Sequence, residues 1–153
     1  MRTATEILQD KDSQIVSVAP DTTIIEALRI MIKNHIGGIL IQEGDEIVGI
    51  WTERDLMRNS ITANFDVKVA KIKDYMTTGL LSAPHTDTVY QLLDKFLGMR
   101  LRHLLIEKDG SYIGLLSIGD VIRATLLEKD VELRKLNAIV SWEYYENWQW
   151  RKK

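Results

Sequence analysis

A hydroxyl followed three residues later by an aspartate occurs twice in corresponding surroundings, as Thr52 with Asp55 and as Ser117 with Asp120. Each pair closes an apolar stretch of strand length, residues 46–51 in one case and 112–116 in the other. A helix that begins there offers first-turn N–H groups with no intrahelical partner, which favour an anion such as a phosphate. The hydroxyl adds a donor, and the aspartate on the same turn can accept from both hydroxyls of a ribose. The same four-residue pattern is also an ordinary helix cap, so the residues alone leave ligand binding and simple capping both open. Arg54, Arg100, Arg102 and His103 are the candidate phosphate partners, guanidinium being suited to bidentate contact. Arg54 and Arg100 read equally as solvated charges. His35 and His85 read as surface or loop residues, and three dispersed histidines have no metal-ligand spacing.

The two pairs belong to a longer repetition. Thr23 and Thr88, Gly49 and Gly114, and Asp55 and Asp120 each stand 65 positions apart, with no gap between. Such self-similarity marks duplicated units that stack to bury a common core. Thr23 with Glu26 forms a capping-box pattern, behind which Ile24, Ala27, Leu28 and Met31 share one helical face. Thr88 is followed in the same register by Val89, Leu92, Leu93 and Phe96. Ile24, Leu28, Met31, Val89, Leu93 and Phe96 are therefore expected in the core. Gly37-Gly38 and Gly98 fall at or just past the helix ends, where a left-handed residue is expected.

Paired strands follow, at residues 39–42 and 46–51, then at 104–107 and 112–116, the second pair joined through the turn former Asp109-Gly110. Their nearly continuous apolar character predicts sheets covered on both faces. The fold class is α+β, with a β-α-β-β-α unit used twice. Residues 60–73 connect the copies without a Gly/Pro-rich linker, so the units are expected to pack as one body. The domain reading is 5–62, 73–129 and a helical tail over 130–153, in which Leu133, Leu136 and Val140 extend an apolar stripe from Leu126. Trp142, Tyr144, Tyr145, Trp148 and Trp150 then crowd the end, a surface that invites association.

At 153 residues, 45% hydrophobic and 27% charged, the composition is that of a soluble globular protein. A net charge of -2 gives no electrostatic case for nucleic acid, and no apolar run is long enough to span a membrane. The absence of cysteine excludes disulfides and thiolate catalysis. The start has no signal-peptide pattern, so a cytoplasmic setting is expected. No phosphate loop, catalytic serine arrangement or acid–base partner for the aspartates is found, so the chain reads as a non-enzyme without a catalytic cofactor or metal.

The ordered motifs resemble the tandem cystathionine β-synthase (CBS) domain pair, or Bateman module, over roughly residues 5–125. Val18-Ala19-Pro20-Asp21-Thr22-Thr23-Ile24, Ile36-Gly37-Gly38 and Val48-Gly49-Ile50-Trp51-Thr52-Glu53-Arg54-Asp55 resemble one motif. Lys73-Asp74-Tyr75-Met76-Thr77, then Arg102-His103-Leu104 to Ser117-Ile118-Gly119-Asp120, resemble a second. The small stand-alone members are the nearest likeness. The resemblance implies a homodimer and adenosine-ligand sites (AMP, ADP, ATP or NAD(H)) between the motifs, with Thr22 and Thr23 joining the site residues. It implies a regulatory sensor that changes its packing or its affinity for an unknown protein partner. The alternative is an interaction module with an empty cleft, acting through its aromatic tail.

Two departures from the family pattern stand out. Leu40 and Leu105 occupy places where proline is frequent. Pro84 lies one residue further from Thr88 than Pro20 does from Thr23, so the opening loops are expected to differ in shape. Arg102-His103 in place of Gly37-Gly38 makes the two sites chemically unequal.

Overall fold

A computed structural model describes residues 1–11 and 14–130. The aromatic tail expected beyond residue 130 lies outside the described residues. The first unit runs β1 (Ser17–Val18), α2 (Ile24–Asn34), β2 (Gly38–Glu43), β3 (Glu46–Thr52) and α3 (Glu53–Asn59), preceded by a helix α1 (Ala4–Lys11). The second runs β4 (Ser82–Pro84), α4 (Val89–Gly98), β5 (His103–Lys108), β6 (Ser111–Ser117) and α5 (Ile118–Asp130), preceded by a 3₁₀ turn at Ile72–Asp74. Each unit has a three-stranded sheet, ordered β1-β2-β3 and β4-β5-β6, with one parallel and one antiparallel pairing. Both hairpins carry an irregularity at matching places, Ile41/Gln42 and Ile106/Glu107. The β-α-β-β-α duplication is thus the architecture.

The expected capping boxes form. The Thr23 hydroxyl accepts from the Glu26 N–H while Glu26 accepts from the Thr23 N–H, and Thr88 with Gln91 does the same. Ile24, Met31, Val89 and Phe96 are buried as expected. Leu28 and Leu93 are only partly buried, and Ala27 and Leu92 hold the deeper places on their helices. The left-handed residues at the helix ends are His35 (φ 54°) and Arg100 (φ 53°), not the glycines; Gly98 is still helical. Two basic residues 65 positions apart therefore share a conformation that costs an L-residue energy.

The opening turns also correct an expectation, since both keep the same hydrogen bond. Thr22 N–H donates to the Ala19 carbonyl at 3.1 Å and Asp87 N–H to the Pro84 carbonyl at 3.0 Å. Pro84 stands one place earlier in an otherwise equivalent turn. The absence of proline at residues 40 and 105 has a physical reason as well. Leu40 N–H donates to the Val16 carbonyl and Leu105 N–H to the Leu81 carbonyl, each at 3.2 Å, and proline has no N–H to give.

The two units are joined by an exchange. Residues 1–8 complete the second unit: Thr3 bridges Thr88, Ala4 N–H donates to the Asp87 carbonyl at 2.8 Å, and Ala4 and Ile7 sit in the second core. The connector completes the first: Lys71 bridges Thr23, Ile72 N–H donates to the Thr22 carbonyl at 2.8 Å, and Ile72 sits in the first core with Phe65, Val67 and Ala70 against it. Phe65 and Tyr75 meet edge to face at 5.0 Å within this segment. Each lead-in then presses a side chain onto a glycine of the hairpin, Met76 onto Gly49 and Leu8 onto Gly114. A Cβ at Gly114 would lie 2.6 Å from the end of the Leu8 side chain, so any larger residue there must push Leu8 aside.

Gly114→Ala is therefore expected to lower stability by ~1–3 kcal/mol through overpacking. In a double-mutant cycle by denaturant unfolding, Leu8→Ala should relieve most of that loss. Additive losses would contradict the crossing of α1 onto the second unit.

Candidate functional site

Both hairpins end where a helix begins, so strand register delivers the hydroxyl and the carboxylate to one turn. At the first, the Thr52 hydroxyl caps the Asp55 N–H, and Asp55 Oδ2 accepts from the Thr52 N–H at 2.9 Å and from its hydroxyl at 3.1 Å. At the second, Asp120 Oδ2 accepts from the Ser117 N–H at 2.8 Å, and the Ser117 hydroxyl accepts from the Asp120 N–H at 3.2 Å. The first-turn N–H groups, expected to be free for an anion, are partly taken. Glu53 N–H donates to the Gly37 carbonyl at 3.0 Å and Ile118 N–H to the Arg102 carbonyl at 2.9 Å. Each turn is thus partly closed by its own chain.

The two turns lie near one another because the starts of β2 and β5 face each other. A methyl group at Gly38 would lie 3.2 Å from the His103 ring. Gly38 and His103 are counterparts in the duplication, so their contact marks the axis relating the halves. His103 feels Lys11, Asp120, Arg102 and Asp55 electrostatically, which places both aspartates and two cations around one imidazole. Burial, and after it the Lys11 ammonium, hold His103 below the ordinary histidine range; Arg102 adds to this and Asp120 and Asp55 oppose it.

The remaining candidates are placed as follows. Arg54 is half-buried on the first turn of α3, and Arg100 and Arg102 are exposed on the loop before β5. Among the described residues, no acidic group forms an ion pair with any of the three. Thr22 and Thr23 are engaged elsewhere, Thr22 through its carbonyl with Ile72 and Thr23 in the α2 cap and the bridge to Lys71. His85 is held by the Thr5 hydroxyl at 3.2 Å, and His35 is an exposed helix end. A cavity of about 260 Å³, lined by Ser82, Pro84, His85, Thr86, Glu107 and Asp109, lies at the hairpin end of β5, away from His103.

Lys11 is the residue that sequence reading missed. Its ammonium lies 2.9 Å from Asp120 Oδ2 and 3.4 Å from the Leu115 carbonyl. The signal was present in Thr3-x-x-Glu6 followed by Ile7 and Leu8, a capping box opening a helix. Thr3 N–H indeed donates to Glu6 Oε2 at 2.7 Å. That helix ends at Lys11, but only the fold carries it to Asp120.

A family model described as the CBS domain matches the chain twice, over residues 6–61 and 72–127. A mitochondrial CBS-domain-containing protein of Arabidopsis thaliana is 33% identical over 129 residues, covering 81% of this chain and 63% of its own length. The chain thus spans less than two thirds of that relative. Among solved structures, a CBS-domain-containing protein from Agrobacterium tumefaciens is 30% identical with a TM-score of 0.76, covering 81% of this chain and 99% of its own. A CBS domain protein from Pyrobaculum aerophilum, complexed with AMP, has a TM-score of 0.70 at 24% identity, covering 85% of this chain and 99% of its own. At that identity the likeness carries the fold.

The His103 environment sets a pH response. The folded state favours the neutral ring, so unfolding takes up a proton just below the ordinary value of 6.5. Its contribution is fully present above that pH and is lost as pH falls through the window. In denaturant titrations from pH 7.5 to pH 5, His103→Gln should flatten the fall in stability. An unchanged slope would show that His103 is not held neutral by burial.

Proposed function

The chain belongs to the CBS-domain family, with two such domains in tandem, and on that premise we propose that it is a regulatory module sensing an adenosine compound. The ligand class is AMP, ADP, ATP or NAD(H), and the place is the junction of the two repeats around Gly38 and His103. The observation that carries this reading is the duplicated turn, with Thr52/Asp55 and Ser117/Asp120 both close to one axis. The AMP bound by the Pyrobaculum aerophilum protein of the same fold supports the ligand class. Ribose hydroxyls donate to the carboxylate of Asp55 or Asp120. Arg54, Arg100 and Arg102, which no acidic group among the described residues neutralises, receive the phosphates. A ligand that touches both halves binds one relative orientation better than another, and that difference in affinity is the signal. We assign no chemistry to the site and read the module as a binding protein.

A homodimer is the second part of the proposal. Ile32 and Leu97, Met57 and Ile122, and Ile61 and Leu126 are exposed, and the members of each pair stand 65 positions apart. Scattered surface apolars are ordinary, but equivalent positions left apolar and uncovered in both copies, on helices for Ile32/Leu97 and Met57/Ile122 and just past α3 for Ile61, describe a face with the symmetry of the module. A second copy matches such a face.

Calorimetry with AMP, ADP, ATP and NAD(H) tests the ligand reading. Asp120→Ala should weaken binding at its site by roughly 1.5–3 kcal/mol, the worth of hydrogen bonds to a charged group. Unchanged affinity in Asp55→Ala, Asp120→Ala and the double variant would remove the ribose role. Sedimentation should find a dimer that Met57→Lys with Ile122→Lys converts to monomer, and a monomeric parent chain would contradict the dimer.

A further inference from the structure

The two halves differ most in what stands beside the second hairpin. In the first unit, Thr77 N–H donates to the Ile50 carbonyl at 2.8 Å, closing the strand edge with backbone. Leu115 is the counterpart of Ile50, and its carbonyl receives the Lys11 ammonium instead, at 3.4 Å. The same ammonium lies 2.9 Å from Asp120 Oδ2, the oxygen that also takes the Ser117 N–H. The pair is well shielded, with side-chain exposures of 30% for Lys11 and 12% for Asp120. Among the described residues, no lysine is paired with Asp55. Three residues beyond Met76, as Lys11 is beyond Leu8, the first lead-in has the uncharged Gly79. The cation near Asp55 is Arg58, 3.9 Å away and 66% exposed.

We propose that Lys11 makes the second site selective for phosphorylated ligands, holding Asp120 when the site is empty and passing to the ligand's phosphate when it fills. The inference rests on the nucleotide reading and deepens it. Asp120 Oδ2 already takes the Ser117 N–H and the Lys11 ammonium, so a ribose hydroxyl that donates to this oxygen separates a shielded ion pair. A ligand with its own phosphate gives the ammonium a new anion within reach of a flexible lysine stem, and no movement of α1 is needed. Ile7 and Leu8 hold that helix to the second unit throughout. A nucleoside brings no anion and leaves the displaced ammonium uncompensated. The discrimination is a difference between two affinities, built partly from a penalty on the unphosphorylated competitor. The first site lacks the device and should tell the two ligands apart less well.

Calorimetry with AMP and adenosine on the full-length Asp55→Ala protein reads the second site by itself. Adding Lys11→Met should tighten adenosine about fivefold, as expected for removing a partly shielded charged contact, and should lower the AMP-to-adenosine affinity ratio about tenfold. Lys11→Arg, which keeps the charge, should restore most of the ratio. An unchanged ratio in Lys11→Met overturns the role of Lys11 while nucleotide binding stands. AMP binding to the parent chain but not to Asp55→Ala overturns it too, because the second site would then take no ligand. Failure of AMP, ADP, ATP, NAD(H) and adenosine alike to bind the parent chain overturns the nucleotide reading and this inference with it.

Discussion

Each half of this molecule is finished by a segment that precedes the other half in the chain. α1 closes the second unit through Ala4 and Ile7, and residues 65–76 close the first through Ile72 and the apolar side chains around it. The correspondence is close. Thr3 meets Thr88 as Lys71 meets Thr23, and Leu8 meets Gly114 as Met76 meets Gly49. A three-stranded sheet with two helices buries little by itself, and the lead-in supplies the missing layer of apolar contact. The lead-ins also decide what stands next to each helix-starting turn. They place Thr77 beside Ile50 in one half and Lys11 beside Asp120 in the other.

The duplication gives two similar sites, and the few departures from it give them different chemistry. Gly38 and His103 meet on the axis, so a small residue in one half makes room for an imidazole from the other. Burial keeps that imidazole near its neutral form, with both aspartates and Lys11 in its field. A charge change on any of these neighbours is therefore felt at His103. The carboxylates on both turns are held by their own helix caps.

Much of this was legible in the sequence because the signals are local and repeated. The capping boxes at Thr23 and Thr88, the apolar register behind them and the Asp109-Gly110 turn all follow from spacing, and repetition separates them from chance. The glycine reading at the helix ends failed for a stated reason. Gly37 and Gly38 serve close approach, Gly37 beneath Glu53 and Gly38 against His103, while His35 and Arg100 take the left-handed positions. The crossing was hidden because the lead-ins do not keep the spacing of the repeat. Thr3 and Lys71 stand 68 positions apart, three more than the units they complete. The Lys11–Asp120 pair spans 109 residues, and no local pattern announces a contact of that separation.

The central claim is that the duplicated turns around the Gly38–His103 contact form an adenosine-ligand site. The most direct measurement is a crystal structure of the full-length protein grown with AMP. The account predicts ribose hydroxyls within hydrogen-bond distance of the Asp120 or Asp55 carboxylate, on the turns that begin at Ser117 and Thr52. AMP bound away from both turns, or no AMP in a crystal grown at saturating concentration with both turns open to solvent, would contradict it.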